Sequence, residues 1–94
     1  GVLLRRARAY MALGLLDEAE VDLDRVAQLA PRTPSVYLLQ CEIALRRGHL
    51  RRADKLLATA RALSPKSNRA ADLGRVIAGW KHPAPGQPHA SHAA

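Results

Sequence analysis

The stretch GHLRRADKLLATARALSP, residues 48–65, repeats the pattern of GLLDEAEVDLDRVAQLAP, residues 14–31. Six pairs stand 34 residues apart with no insertion: Gly14 and Gly48, Leu16 and Leu50, Ala19 and Ala53, Leu23 and Leu57, Val26 and Ala60, Pro31 and Pro65. Chance composition yields one or two such matches. Six in register, with both glycines and both prolines among them, define an internal repeat of the length used by stacked helical scaffolds.

Each copy reads as a helix. Leu50, Ala53, Leu56, Leu57, Ala60 and Leu63 recur at three- and four-residue spacing, as do Leu16, Ala19, Leu23, Val26 and Ala30. The second helix of the chain is expected from about Asp17 to Ala30, with its acidic first turns complementing the positive end of its dipole. Upstream, Leu3, Ala7, Tyr10 and Met11 give a first helix over residues 2–13, which Gly14 ends by taking a left-handed conformation. Pro31-Arg-Thr-Pro34 is a stop and restart, with Thr33 placed to cap and Pro34 suited to the first helical position. A third helix runs from there to about Arg47, and Gly48 closes it. Ser67 can cap a fifth, ending near Trp80 with the stripe Ala70, Leu73, Ile77 and Trp80. From His82 the chain turns to Pro, Gly and small polar residues that cannot bury enough surface to offset ordering entropy, so residues 82–94 read as a disordered tail.

Composition bounds the function. Phe is absent and Trp occurs once, so the core must be built from Leu, Ala and Val, which suits close-packed helices. Cys41 is the single cysteine, and no apolar run approaches the ~20 residues of a membrane helix. No membrane partner is expected; the compartment stays open, with the cytoplasm favoured. The net charge of +7 is uneven: residues 1–41 hold five arginines against five carboxylates, whereas residues 42–94 hold ten basic side chains against Glu42, Asp54 and Asp72. That asymmetry permits an anionic partner.

Catalytic chemistry is missing. Cys41 lies on a packing position with no His within helical reach, which reads as a small buried residue. His89 and His92 have ligand-like spacing but no third ligand, so neither a metal nor another cofactor is expected. Arg46, Arg47, Arg51, Arg52 and Lys55 crowd the turn around His49. The plain reading is a solvated helix turn; the functional one is an anion or nucleic-acid contact, with the lack of aromatic stacking groups arguing against single strands. Arg51 and Arg52 also oppose the dipole of the helix they open, which points mildly to function.

Two helix pairs with these anchors resemble tetratricopeptide repeats. The resemblance spans residues 1–81: a first repeat over about 1–33, a second over about 34–67 and a capping helix over about 68–81. In that family small residues mark the closest helix approach, and here Ala7 and Cys41, with Ala19 and Ala53, stand at those places. Axes approach to ~8 Å only where side chains are small. Tyr10 keeps an aromatic that Ala44 replaces in the second repeat, and Tyr37 keeps one that Leu3 replaces in the first. Arg75 sits where a third repeat would need a small residue, so the array is expected to end there. Two repeats and a cap fall below the ~3 units usual for a stable stack. Further repeats upstream of Gly1, or self-association, are therefore expected.

The resemblance implies an all-α fold, a right-handed α-solenoid of antiparallel helix pairs, that binds a partner protein or peptide in a groove. By position the groove presents Leu4, Arg8, Met11 and Ala12, then Ser35, Leu38, Glu42, Leu45 and Arg46, then Arg69, Asp72 and Val76. The Lys and Asn with which some members clamp a terminal carboxylate are not at these positions. Arg8 and Glu42 are equivalents on adjacent first helices, and their plain role is mutual pairing. The expected function is a non-enzymatic interaction scaffold for a short, apolar and partly acidic segment. Accessory anion or nucleic-acid binding through residues 46–55, or the C-terminal regulatory part of a larger enzyme, are the alternatives, and a nucleic-acid partner is not the expected one.

Overall fold

A computed structural model describes residues 2–81, and the tail expected over 82–94, with His82, His89 and His92, lies outside them. The described residues form five helices and no strand: α1 (Val2–Ala12), α2 (Leu16–Leu29), α3 (Pro34–Arg46), α4 (Leu50–Leu63) and α5 (Asn68–Lys81). None is long and apolar enough to cross a membrane.

The sequence repeat is a repeat of backbone geometry. Helices α2 and α4 each have 14 residues, and their bounds differ by the same 34 positions that separate the starts of α3 and α5. Gly14 and Gly48 take φ of 78° and 76°, a region costly for any residue with a Cβ. The left-handed turn lets Gly14 donate to Met11 O at 3.0 Å and Leu15 to Tyr10 O at 2.8 Å; Gly48 donates to Leu45 O at 3.1 Å and His49 to Ala44 O at 2.8 Å. Both turns are thus Schellman motifs that satisfy carbonyls left open at the helix ends. Such short connections turn each helix back on its predecessor.

Two caps behave differently. Ser67 Oγ accepts a hydrogen bond from the Ala70 amide at 3.2 Å, as expected of a capping serine. Thr33 holds the N-cap position of α3 but its side chain makes no capping bond; its carbonyl accepts from Val36 instead, while Pro34 takes the first turn. The connection before it is held by the Tyr37 hydroxyl, which donates to Pro31 O at 2.6 Å.

Packing divides into two apolar clusters that share one helix. Ala7, Met11, Ala19 and Leu23 of α1 and α2 close on Val36, Leu39 and Ile43 of α3. Leu38, Cys41, Ala44 and Leu45 on the other side of α3 close on Ala53, Leu57 and Ala60 of α4 and on Ala70, Leu73 and Ile77 of α5. Helix α3 is therefore buried on both sides, which is why its apolar residues form no single stripe. Ala7, Ala19, Cys41 and Ala53 are fully buried, at the places where helices meet. Two stripe assignments need correction: Ala30 is the exposed C-cap of α2, and Trp80 remains 40% exposed because the second cluster ends at Ile77.

Candidate functional site

Helices α1, α3 and α5 border an open cleft of about 530 Å³. Arg8, Met11 and Ala12 come from α1; Ser35, Leu38, Leu39, Glu42 and Arg46 come from α3; Arg69 comes from the first turn of α5 and Ser67 from the cap just before it. Its floor is apolar because Met11, Leu38 and Leu39 reach it from the two clusters while staying nearly buried. The volume lies in the range of small-molecule sites, about 300–1,000 Å³.

Several residues expected to share this groove lie elsewhere. Leu4 is half-buried against the first cluster, and Leu45 is buried in the second. Asp72 is exposed and paired with Arg75, and Val76 is on an exposed face of α5. Leu39 was not among the expected groove residues. Its double role, between the first cluster and the cleft, follows from α3 being packed on both sides.

The charges at the rim are mostly committed. Arg46 Nη1 donates to Met11 O at 2.8 Å, placing a cation on the carbonyl end of α1 where the dipole favours it. Arg69 pairs with Glu42 Oε1. The expected Arg8–Glu42 pair is not formed, because Arg69, from the following helix, takes the carboxylate. Glu42 Oε2 is buried without a donor among the described residues. Arg8 enters no ion pair among them, which leaves it the rim cation available to a bound anion.

The basic turn divides in the same way. Arg46 reaches α1, while Arg47 donates to Asp17 at 2.5 Å and to Glu20 at 3.4 Å on α2. The hydrogen bond that Arg47 donates to Asp17 raises its pKa, and burial opposes that shift. Arg51, Arg52 and Lys55 stay exposed on α4. The five cations therefore do not form one cluster.

The acidic run of α2 does more than meet its dipole. Asp22, 3% exposed, accepts from Arg6 Nε and Nη2, both at 2.7 Å, and that guanidinium lies 5.7 Å from the centre of the Tyr10 ring. These hydrogen bonds hold the Asp22 carboxyl below its usual range although burial pushes the other way. Gln40 donates to Asp24 at 3.0 Å. Helix α2 is thus joined by polar contacts to α1 and to α3. The available sequence signal was the position of Asp22 and Asp24 beyond the first turn, where the dipole argument fades.

The Cys41 thiol is buried, and burial, aided by the Glu42 and Asp54 carboxylates, pushes its pKa up to about 11. At neutral pH it is a thiol, not a nucleophilic thiolate. Among the described residues no group of three His, Cys, Asp or Glu is placed to hold a metal ion. No family model, no curated protein and no solved structure matches the chain.

Proposed function

We propose that the chain is a tetratricopeptide-like scaffold, a right-handed α-solenoid segment, whose cleft binds a short apolar and partly acidic segment of a partner protein. The observation that carries this reading is the cleft itself, which joins α1, α3 and α5 across both repeats and sets an apolar floor beneath an arginine rim. Repetition of the turns and helix bounds supports the repeat assignment. The proposal is of a binding protein and not an enzyme: the buried thiol is structural, and Glu42, the carboxylate that lines the cleft, is paired through Oε1 with Arg69. A flexible segment loses entropy on docking, so modest affinity is expected.

Ala12 gives the test. It is exposed and lines the cleft, whereas Leu38 is part of a core and its replacement by Glu would disturb folding. Ala12→Trp fills the cleft without entering either cluster. Titration calorimetry with a panel of apolar peptides bearing one or two acidic residues should find a binder whose affinity falls on the order of tenfold or more in Ala12→Trp, the loss of roughly 1.4 kcal/mol. Unchanged binding by a variant with unchanged melting places the peptide elsewhere and refutes the cleft.

A further inference from the structure

Most carboxylates of this protein are taken up by a small set of its cations. Arg47 takes Asp17 and Glu20, Arg6 takes Asp22, Arg69 takes Glu42, Lys81 takes Asp54 and Arg75 takes Asp72. Asp24 accepts from Gln40. Arg51, Arg52 and Lys55 stand on the outside of α4 with no carboxylate among these pairs.

The 34-residue register shows how unusual that face is within the molecule. The positions of Arg51, Arg52 and Lys55 are held on α2 by Asp17, Glu18 and Val21. Both helices start from the same backbone, with Leu15 at φ −86°, ψ 72° and His49 at φ −89°, ψ 77°. Geometry is kept while charge is reversed. On α2 the acidic turn receives Arg47; on α4 the counterpart of Arg47, Lys81, bonds Asp54, the counterpart of Glu20, and Arg51 enters no ion pair among the described residues. Two arginines beside the positive end of a helix dipole cost stability. An unfavourable arrangement with no compensation inside the fold points to a partner outside it.

The rest of the face selects the partner. None of the exposed large apolar side chains lies on α4, whose outer surface continues with Ala58, Thr59 and Ala62. A membrane-surface helix needs an apolar face to insert, and protein interfaces centre on apolar or aromatic anchors. Single strands are held by aromatic stacking, and this face carries no aromatic residue. A duplex phosphate backbone requires only cations that displace its counterions, and small neighbouring side chains let it approach.

We propose that Arg51, Arg52 and Lys55 on the outer face of α4 bind the phosphate backbone of double-stranded nucleic acid without reading its sequence. The surface is separate from the cleft, so it stands or falls independently of peptide binding. Three phosphate contacts give a weak, salt-sensitive complex, with log K falling against log salt at a slope of about −2.7.

The test is fluorescence anisotropy of a labelled duplex of about 20 base pairs with the full chain across a salt series. The variant Arg51→Asp/Arg52→Glu installs on α4 the signs that α2 carries, so helicity and melting are kept. Arg5→Glu/Arg32→Glu lowers the net charge equally from exposed positions off α4. The α4 variant is expected to lose on the order of tenfold or more in affinity and to flatten the slope by about 1.8, while the control stays within about threefold of the parent. Equal losses in the two variants overturn the proposal, since total charge then explains the binding. It is also overturned if the parent chain shows no salt-dependent duplex binding, or if the same α4 change releases it from phosphatidylserine vesicles or polyglutamate that it holds more tightly than duplex.

Discussion

Replacing Ala53 by Leu probes the helix contact on which the repeat geometry depends. Ala53 is fully buried in the second cluster, where α4 meets α3 against Cys41, Ala44 and Leu45. Three added carbons have no space there and must be accommodated by moving α4 or forcing side chains off their rotamers. Overpacking of this kind costs about 1–3 kcal/mol. In a domain of this size each kcal/mol lowers the melting temperature by roughly 4–8 °C, so a fall of about 4–24 °C is expected. Ala58→Leu is the control, because Ala58 is exposed on the same helix and its replacement should stay within about 0.5 kcal/mol. Urea unfolding followed by circular dichroism measures both. Equal effects at Ala53 and Ala58, or a neutral Ala53→Leu, would show that Ala53 does not occupy a close helix crossing and would refute the packing argument.

Asp22 predicts an acid dependence. Its folded-state pKa is depressed, so its contribution is present above the unfolded carboxylate value of about 3.9 and is lost as pH falls through the lower folded value. Urea midpoints should drop across that acid window in the parent chain, and Asp22→Asn should be less stable at neutral pH but show a shallower drop; identical slopes would remove Asp22 as a contributor. Cys41, buried and with a pKa near 11, should resist thiol reagents at neutral pH until denaturant is added. Prompt labelling of the folded chain would contradict its burial.

The helices and turns were legible because they depend on residues close in sequence. Gly14, Gly48, Pro34 and Ser67 act within one turn of where they stand, and the spacing of Ala19, Leu23, Ala53 and Leu57 marks the buried faces directly. The cleft was legible only in outline. Arg8, Met11, Leu38, Glu42, Arg46 and Arg69 do line it, but Leu45 turns into the core, since a helix packed on both sides offers no fixed solvent face. Ion pairing was the least legible. Glu42 lies near long cations on α1 and α5, and the reach of a flexible arginine decided for Arg69 in a way that residue spacing does not encode. Arg46 bonding to Met11 O joins residues 35 positions apart through a backbone carbonyl, a partner with no side-chain signature.

Because α3 supplies side chains to both apolar clusters, the two halves of the molecule cannot melt one after the other without exposing it. Removing α1 and α2 would bare Val36, Leu39 and Ile43, and removing α4 and α5 would bare Leu38, Cys41 and Leu45. Each loss uncovers apolar surface on the same helix, which ties local opening to global unfolding. Its amides should therefore be the slowest to exchange with deuterium, at the free energy of the whole domain, while those of α1 and α5 open first. In a chain of repeats, cooperativity is a property of the contacts between units. Here that coupling passes through one helix of 13 residues.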